Sequence, residues 1–266
     1  MKLFAVIGQG VRAKSASPAM HNASFRRLGV DAHYLAIEVP AHSLRCFTDL
    51  ARLNLAGFNV TIPLKELILE HLDGVNMEAR AIGAVNTVKV ERNLLVGFNT
   101  DFQAIYRLAG KYIEGGRVLI LGAGGAARAA LYAAIKAGAA EIVVANRTRE
   151  RALELAREFA EKFGRSIRGQ ELANLPKADV VVNATPVHDR VLAPLDGARA
   201  YVEYVYNPPR TAMVELAESL GVSVVDGVSI LVEQGAIAEE IWLGVNPDRE
   251  IMRRAVLDFL GQGATS

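Results

Sequence analysis

A glycine-rich turn between a predicted strand and a predicted helix carries the strongest chemical signal in the sequence. The apolar run Val118–Leu121 is followed by Gly122-Ala-Gly124-Gly125-Ala-Ala127, which fits the pattern G-x-G-x-x-A. In such a turn the first glycine permits the bend, the second lets the backbone approach a pyrophosphate, and a small third residue lets helix and sheet pack closely. Free N–H groups at the helix start then face the phosphates. Glycine turns also occur without a nucleotide, so both interpretations stand at this point.

Two arginines follow the next predicted strand, Glu141–Ala145. A site for NAD carries Asp or Glu roughly 20 residues after the glycine turn, where the carboxylate binds the ribose 2′-hydroxyl. Here the strand ends in Asn146-Arg147-Thr148, with Arg151 shortly after. The planar guanidinium suits a phosphate, so these residues favour the 2′-phosphate of NADP. A solvated basic helix start is the alternative.

Polar side chains also gather near predicted strand ends in the first hundred residues, where open α/β sheets bind their ligands. Ser15 and Ser17 precede a helix that begins near Pro18. Their hydroxyls and the amides of the helix start are able to hold a carboxylate. Simple capping of the helix is the alternative interpretation.

Further polar residues follow the predicted strand Gly57–Ile62 and bracket a predicted hairpin. Thr61 and Lys65 lie where the strand turns into a helix, on the side of the sheet where a ligand is expected. Asn86 and Asp101 supply an amide and a carboxylate at the two ends of the hairpin. An ordinary surface lysine and a turn-capping aspartate are the alternatives.

An α/β fold of two domains is predicted to position these residues, since short β-branched runs alternate with longer helical patterns. The predicted strands are Lys2–Ile7, His33–Val39, Gly57–Ile62, Asn86–Val90, Leu94–Asn99, Val118–Leu121, Glu141–Ala145, Asp179–Asn183, Tyr201–Tyr206 and Val222–Asp226. The predicted helices include Ala126–Lys136, Arg149–Phe163, Thr211–Gly221 and the amphipathic stretches Ser229–Trp242 and Arg249–Leu260. We therefore expect an N-terminal α/β substrate domain, residues 1–101, completed by C-terminal helices, 229–266. A Rossmann-like NADP-binding domain is expected over 102–228.

Composition excludes several classes of protein. Of the 266 residues 51% are hydrophobic and 22% are charged, which is typical of a globular enzyme. A formal net charge of +1 attracts neither nucleic acid nor an anionic membrane. Cys46 is the only cysteine and the five histidines are scattered, so neither a disulfide nor a metal site is expected. No apolar run approaches ~18 residues and no signal segment is recognised, so we expect a cytoplasmic protein.

Taken in order, the motifs resemble those of the shikimate dehydrogenase family. They extend from Val6 to Trp242 and comprise Ser15-Ala-Ser-Pro-Ala-Met-His-Asn, Asn59-Val-Thr-Ile-Pro-Leu-Lys-Glu, Gly83-Ala-Val-Asn-Thr, Gly97-Phe-Asn-Thr-Asp, Gly122-Ala-Gly-Gly-Ala-Ala-Arg, Asn146-Arg-Thr, Asn183-Ala-Thr-Pro, Tyr206-Asn-Pro, Asp226-Gly and Gln234-Gly-Ala. The resemblance implies an NADP-dependent oxidoreductase that reversibly reduces 3-dehydroshikimate to shikimate on the way to chorismate and the aromatic amino acids.

The resemblance also implies roles for individual residues. Lys65 would be the acid/base group, with Asp101 as its partner. The substrate carboxylate would be held by Ser15 and Ser17, with Tyr206 nearby, and the ring hydroxyls by Thr61, Lys65, Asn86, Asp101 and Gln234. NADP(H) would contact Gly122, Ala123, Gly124, Gly125, Ala126, Asn146, Arg147, Thr148, Arg151, Thr185, Val205 and Gly227. Such a protein acts on a small molecule as a monomer or homodimer, without nucleic acid or membrane.

Several positions depart from the family pattern, and two other functions stay open. The departures are Lys14, His188, Asp189, Glu203, Ser229, Ile230 and Glu233. None of them is an expected reacting group, but five of them concern the surroundings of the cofactor: His188, Asp189, Ser229, Ile230 and Glu233. The alternatives are an enzyme that also accepts quinate, and a non-catalytic sensor that binds a dinucleotide and a small acid. The pair Lys65 and Asp101 argues against the sensor, which has no need of an acid/base group.

Overall fold

The computed structural model describes residues 1–263, which fold into two compact units. The first unit contains Met1–Thr100 together with the described residues from Leu231 onward. The second unit is Asp101–Ile230. The end of the predicted substrate domain, 264–266, lies outside the described residues, and the assignment of a function to each unit stays a prediction.

Strands and helices alternate along most of the chain. The strands are β1 Lys2–Gly8, β2 Ala32–Glu38, β3 Gly57–Val60, β4 Gly74–Val75, β5 Thr87–Glu91, β6 Leu94–Phe98, β7 Arg117–Leu121, β8 Glu141–Asn146, β9 Ile167–Glu171, β10 Val180–Asn183, β11 Ala200–Glu203 and β12 Ser223–Val225. The α-helices are α1 Val11–Lys14, α2 Ser17–Leu28, α3 Leu44–Asn54, α4 Leu64–Leu67, α5 Met77–Ile82, α6 Thr100–Ile113, α7 Gly125–Lys136, α8 Arg149–Phe163, α9 Ala212–Ser219, α10 Gly227–Leu243 and α11 Arg249–Gly263, and 3₁₀ turns lie at Ala41–Ser43 and Ile68–His71.

The first unit is built on a mixed sheet with the strand order β2-β1-β3-β5-β6-β4. β1 is parallel to both β2 and β3, whereas β5 is antiparallel to β3 and forms a hairpin with β6. The hairpin turns through Arg92 and Asn93, both with positive φ, as a two-residue turn between twisted strands requires. The predicted hairpin is thereby confirmed.

Both faces of the first sheet are covered by apolar side chains. Along β1, Phe4 and Val6 face one side and pack in a cluster with Trp242 of α10. Ala5 and Ile7 face the other side and belong to a second cluster. Successive strand residues point to opposite faces, so an uninterrupted apolar run of this kind is expected for a strand that is covered on both sides.

Buried polar contacts hold α10 against the first unit. Glu239 and His21 are fully buried, and a carboxylate oxygen of Glu239 lies 2.7 Å from Nδ1 of His21. The hydroxyl of Ser24 donates to the second oxygen at 2.6 Å. Nε1 of Trp242 donates to the carbonyl of Val88 at 2.9 Å. Helix α10 is therefore fixed to the N-terminal part of the chain even though more than a hundred residues separate them in sequence.

The second unit has an all-parallel sheet with the strand order β12-β11-β10-β7-β8-β9. The chain leaves β7 toward β8 on one side and later returns to β10 on the other side. At such a switch point adjacent loops diverge and leave a crevice at the carboxyl ends of the strands, which is where open α/β sheets bind ligands. The predicted Rossmann-like topology is confirmed.

The predicted strands and longer helices are all present, with ends shifted by three residues or fewer. Two strands were not predicted, the two-residue β4 and the edge strand β9. β9 has the sequence Ile-Arg-Gly-Gln-Glu, pairs only with β8 and contains no fully buried residue. An edge strand of this kind lacks the apolar run that marks a buried strand.

The prediction of an amphipathic helix over Ser229–Trp242 is wrong in its pattern of burial. The helix is present, but the consecutive residues 232–239 are all buried. A helix that is buried all round has no polar stripe. Its polar residues Glu233, Gln234 and Glu239 therefore require partners inside the protein.

Within residues 1–263, no helix combines the length and the apolar character that crossing a membrane requires.

Candidate active site

One edge of the first sheet collects three of the residues predicted to bind a substrate, Thr61, Lys65 and Asn86. β1 and β3 are parallel, so their carboxyl ends lie side by side, and the antiparallel β5 begins at the same edge. The N–H of Thr61 donates to the carbonyl of Ile7 at 2.9 Å. The N–H of Val60 donates to the carbonyl of Asn86 at 2.8 Å. Thr61 and Asn86 are thus held on adjacent strands by main-chain hydrogen bonds.

Lys65 lies on the short helix α4 that follows Thr61 at this edge. The preceding residue, Leu64, is fully buried and its N–H donates to the carbonyl of Thr61 at 2.8 Å. The carbonyl of Lys65 accepts from the N–H of Val85 at 2.8 Å, next to Asn86 in the chain. Hydrogen bonds at Leu64 and at the carbonyl of Lys65 therefore fix the main chain that carries the ammonium group. The side chain of Lys65 is half-buried.

Asn86 and Gln234 come together in the structure, although 148 residues separate them. Nδ2 of Asn86 lies 3.3 Å from the side-chain oxygen of Gln234 and 2.9 Å from the hydroxyl of Thr100. The N–H of Thr100 donates to Oδ1 of Asn86 at 2.7 Å. Both amides are almost fully buried, so these bonds fix their orientation.

A buried chain of hydrogen bonds continues from Asn86, Gln234 and Thr100 into the sheet. The hydroxyl of Tyr34 donates to Asn59 at 2.7 Å, and Nδ2 of Asn59 donates to the hydroxyl of Thr87 at 2.9 Å. Thr87 and Thr100 hydroxyls lie 3.1 Å apart. The sequence motifs predict no role for Tyr34, Asn59, Thr87 or Thr100. The available signal was Asn59, a polar residue within an otherwise apolar buried strand.

The two predicted carboxylate-binding serines differ in their surroundings. Helix α2 begins at Ser17, and Ala16 occupies the N-cap without a side-chain capping bond. The hydroxyl of Ser15 accepts a 3.3 Å hydrogen bond from the N–H of Ser17. Ser17 as a whole residue is only 7% exposed, and over residues 1–263 its hydroxyl makes no hydrogen bond. Capping therefore accounts for Ser15 only, and Ser17 has a donor available for another acceptor.

Two further predicted substrate residues, Asp101 and Tyr206, belong to the second unit. Asp101 is buried in the first turn of α6, where a carboxylate is favoured by the helix dipole. Desolvation and the charge of Asp101 raise the pKa of Tyr204, whose hydroxyl donates to the carbonyl of Ala126 at 3.3 Å. Tyr206 lies half-buried on the segment that follows β11.

The glycine turn of the second unit has the geometry that a pyrophosphate requires. Gly122 has φ +114°, a backbone conformation that side-chain-bearing residues rarely adopt. Gly124 is the N-cap of α7, has no side chain with which to cap the helix, and has open space where a Cβ would lie. Gly125 starts the helix, and Ala127 is fully buried against the sheet. Uncapped N–H groups beside open space are a ready site for an anion.

The arginines predicted to select NADP lie at the start of α8. Nδ2 of Asn146 donates to the carbonyl of Thr148 at 2.9 Å and closes the loop after β8. Thr148 is the N-cap of α8 but makes no side-chain capping bond. Arg147 and Arg151 are exposed, and neither forms an ion pair with any other described residue. Unpaired cations at a helix N-terminus are unfavourable unless an anion binds there, which favours the phosphate interpretation over a solvated surface.

Three other predicted cofactor residues lie at the carboxyl edge of the second sheet. The hydroxyl and the N–H of Thr185 donate to Oδ1 of Asn183 at 2.7 and 3.0 Å. The N–H of Val205 donates to Glu203 at 2.9 Å. A Cβ at Gly227 would lie well inside contact distance of the Val205 carbonyl, so this close approach requires glycine.

Most departures from the family pattern have a local explanation. The N–H of Ser229 donates to Asp226 at 2.7 Å and Ile230 is buried, so both fit the first turn of α10. His188 is exposed, and its carbonyl accepts from Ala212 at 2.9 Å. Nothing in the structure explains Lys14 or Asp189.

In the described part of the chain, no group of three His, Cys, Asp or Glu side chains is arranged to hold a metal ion.

Glu233 is held in an ion pair with Arg249, the first residue of α11. Nε and Nη2 of Arg249 lie 2.7 and 3.1 Å from the two carboxylate oxygens of Glu233. Nη2 also lies 2.8 Å from Glu240. The two-pronged contact is the strong geometry for a guanidinium and a carboxylate. The departure at Glu233 is thereby explained as a bond between α10 and α11.

We expect Glu233→Gln to lower the free energy of unfolding by about 1–2 kcal/mol, because a largely buried carboxylate partner of Arg249 is lost while Arg249 stays partly solvated. Chemical denaturation of the variant and the parent measures the difference. Glu218→Gln is the matched control, since Glu218 pairs with Arg210 on the surface. A loss of equal size in both variants would contradict the structural role of Glu233.

Comparison with protein families identifies three matching segments. Residues 6–88 match the shikimate dehydrogenase substrate binding domain. Residues 107–217 match the family described as shikimate / quinate 5-dehydrogenase. Residues 227–257 match the shikimate 5′-dehydrogenase C-terminal domain. Together these segments include most strands of both sheets, helix α10 and the first part of α11.

Individual relatives give the same result. The chain is 66% identical over 259 residues to a protein named shikimate dehydrogenase (NADP(+)) from Pyrobaculum aerophilum, covering 97% of this chain and 99% of the relative. A crystal structure of shikimate 5-dehydrogenase from Thermus thermophilus with NADP(H) and shikimate is 39% identical with a TM-score of 0.86, covering 97% and 99% of the two chains. Quinate dehydrogenase from Corynebacterium glutamicum in complex with NAD is 30% identical with a TM-score of 0.87, covering 97% and 99%. On these matches, and on the motifs that the two sheet edges present, the chain belongs to the shikimate dehydrogenase family.

Proposed function

We propose that this protein catalyses the reversible, NADP-dependent reduction of 3-dehydroshikimate to shikimate in chorismate biosynthesis. The observation that carries the proposal is the edge of the first sheet, where main-chain hydrogen bonds hold Thr61, Lys65 and Asn86 together. The 66% identity to a relative named shikimate dehydrogenase (NADP(+)) also supports the proposal. A hydroxyl, a cation and an amide at one place suit a polyhydroxylated acid.

NADP would supply or accept the hydride, so the protein has to bind the substrate and move one proton. Lys65 is proposed to donate that proton to the alkoxide that forms when the ketone is reduced, and to accept it in the reverse direction. Asp101 is proposed as the partner that holds the ammonium group. This assignment is a proposal from the family motif and from the fixed main chain of Lys65.

The remaining substrate contacts are proposed by the same reasoning. Ser15 and Ser17 would bind the carboxylate, and the unpaired hydroxyl of Ser17 supports this role. The ring hydroxyls would be bound by Thr61, Lys65, Asn86, Asp101 and Gln234, with Tyr206 near the carboxylate. The buried hydrogen bond between Asn86 and Gln234 supports a preorganised contact, because neither amide has to be ordered by the ligand.

The cofactor is proposed to bind along the carboxyl edge of the second sheet. Its pyrophosphate would lie on the glycine turn and its 2′-phosphate beside Arg147 and Arg151. The proposed contacts are Gly122, Ala123, Gly124, Gly125, Ala126, Asn146, Arg147, Thr148, Arg151, Thr185, Val205 and Gly227. The open space at Gly124 and the unpaired arginines are the observations that fit this group.

Shikimate is expected to be the better substrate by at least about tenfold in kcat/KM over quinate, because a pocket shaped for one set of hydroxyls discriminates against an added one. The 30% identity to a quinate dehydrogenase makes this comparison necessary. Each acid is assayed with NADP and with NAD by the absorbance of the reduced nicotinamide. Protein carrying Lys65→Ala, purified in parallel, detects any contaminating enzyme from the host.

The outcomes of this assay separate the candidate functions. Equal kcat/KM values for the two acids would make the protein a quinate/shikimate dehydrogenase. No reduction of either nucleotide with either acid would favour the non-catalytic sensor and overturn the proposal.

We also propose a cytoplasmic monomer or homodimer, and analytical ultracentrifugation distinguishes the two states.

A further inference from the structure

A buried carboxyl group in the second unit lies outside the roles assigned so far. Glu203, the last residue of β11, is fully buried. Four donors surround it: Nδ2 of Asn183 at 3.0 Å, the N–H of Val205 at 2.9 Å, the hydroxyl of Tyr201 at 2.5 Å and the hydroxyl of Thr211 at 2.8 Å. Burial raises the pKa of Glu203, and the hydrogen bonds oppose that shift. These four donors match the roughly four acceptor sites of a carboxylate, so the group is fully hydrogen-bonded and fixed in orientation.

The two oxygens of Glu203 have different functions. Oε2 accepts from Tyr201 and Thr211, which lie on β11 and at the N-cap of α9. Oε1 accepts from Asn183, the last residue of β10, and from Val205, which lies on the segment that follows β11. Of the two oxygens, Oε1 is therefore the one that connects the end of β10 with the segment after β11, and main-chain hydrogen bonds from Tyr204 to Asn183 and from Ala212 to His188 join the same parts of the chain.

These loops carry residues already proposed to contact the cofactor. Asn183 is fully buried, and its Oδ1 accepts both bonds from Thr185. Thr185, Asn183, Glu203 and Val205 thus form one continuous chain of hydrogen bonds. The close approach of Gly227 restrains Val205 from another side. A change in the length of this chain would move Thr185 and Val205 relative to one another.

The position of the loops indicates which half of the cofactor they meet. The 2′-phosphate half is proposed to lie beyond β8, on one side of β7, whereas β10 and β11 lie on the other side. In a dinucleotide-binding sheet each half binds one nucleotide. The loops after β10 and β11 are therefore placed for the nicotinamide nucleotide.

We infer that Glu203 is a positioning residue for the nicotinamide half of NADP, acting through Oε1 on the loops of Thr185 and Val205. The inference rests on the proposed function, because it assumes that NADP is the cofactor. A buried carboxylate costs desolvation energy that a well-packed apolar residue avoids. Its presence here is explained by the geometry that it imposes on the two loops.

The chemistry of the donors distinguishes two substitutions. The N–H of Val205 and the amide Nδ2 of Asn183 can only donate, whereas the hydroxyls of Tyr201 and Thr211 can also accept. In Glu203→Gln the amide oxygen therefore stays toward Asn183 and Val205, and its NH₂ group faces the two hydroxyls. In Glu203→Leu no acceptor is left for either loop. The glutamine variant preserves the connection that leucine removes.

The test compares both variants with the parent by steady-state kinetics and by equilibrium binding of two probes. The probes are NADP and 2′,5′-adenosine bisphosphate, which lacks the nicotinamide nucleotide. Glu203→Leu is expected to raise KM and Kd for NADP about tenfold or more, the effect of losing a buried hydrogen-bond acceptor. Binding of the bisphosphate and KM for shikimate should each change by less than about twofold, within the range of a neutral substitution. Glu203→Gln should stay within about threefold of the parent for NADP, since its acceptor is retained.

Two further variants keep the test decisive where Glu203→Leu fails to fold. Asn183→Ala cuts the same chain at the other end and should reproduce the selective loss of NADP binding. Tyr201→Phe removes a donor to Oε2 only, so it should lower stability without changing Kd for NADP. Equal losses of NADP and bisphosphate binding, or a glutamine variant as weak as the leucine variant, would overturn the inference. A parent protein that oxidises neither shikimate nor quinate would instead overturn the proposed function.

Discussion

Replacing Lys65 with alanine is expected to lower kcat for shikimate by about 10²-fold or more, with a smaller change in KM. The substitution removes the proposed proton donor but leaves the frame around it, since Lys65 contributes its main-chain carbonyl to that frame. Thr61, Asn86 and Gln234 would still bind the substrate. Initial rates measured across a range of shikimate concentrations at saturating NADP separate kcat from KM.

Two control variants test whether the loss of kcat comes from the loss of proton transfer. Lys65→Arg retains a positive charge that does not release its proton near neutral pH, so it should stay within about tenfold of the alanine variant if proton transfer is the missing function. Lys89→Ala removes a lysine of β5 that lies 3.8 Å from Glu91, and should leave kcat unchanged. Turnover by Lys65→Ala close to that of the parent protein would remove Lys65 from the mechanism.

The proposed partnership with Asp101 is tested by a double-mutant cycle. Asp101→Asn removes the charge at nearly constant shape. If Lys65 and Asp101 act as a unit, the double variant is expected to lose about as much kcat as Lys65→Ala alone, because coupled residues are strongly non-additive. Losses that multiply would show that the two side chains act independently.

Much of the fold is predictable because its elements have simple local patterns. The buried strands of both sheets read as apolar runs, and the hairpin turn at Arg92 and Asn93 separates two such runs. The glycine turn is recognisable because a tight bend and the approach of a phosphate each restrict the residue type. Thr61 and Lys65 were recognisable for a related reason, since polar residues directly after a buried strand have to face the edge of a sheet.

The parts that escaped prediction depend on contacts between distant residues. α10 was expected to expose one face, but its burial depends on contacts such as that between Glu239 and His21, 218 residues apart. No periodicity within the helix reports such a partner. The edge strand β9 was missed because it is polar, and it is specified by its pairing with β8 rather than by its own residues.

Polar positioning residues are the least predictable class in this protein. In the sequence Glu203 is distinguished only as a departure from the family pattern, and its four donors come from four separate positions in the chain. Asn59 and Tyr34 are also buried polar residues, and their hydrogen bonds connect to the residues around Asn86. Each is a single polar residue whose function depends on a partner that only the folded chain supplies.

The unpaired guanidiniums at the start of α8 lead to the second large effect. The double substitution Arg147→Ala/Arg151→Ala is expected to raise KM for NADP by about 10²-fold or more, because each charge-assisted hydrogen bond to a phosphate is a strong one. KM for NAD should change by less than about threefold, since NAD carries an uncharged 2′-hydroxyl where NADP has the 2′-phosphate. Initial rates with each nucleotide at saturating shikimate measure the two constants.

Arg157→Ala is the matched control, because Arg157 is exposed on the same helix and forms no ion pair among the described residues. It should leave both KM values unchanged. A change of net charge alone would weaken NADP binding in all the arginine variants alike, and the effect would fade at high salt. A phosphate site is specific to position, so only residues 147 and 151 should alter the ratio of the two KM values. An unchanged ratio in the double variant would mean that these arginines form a solvated surface and that the 2′-phosphate is recognised elsewhere.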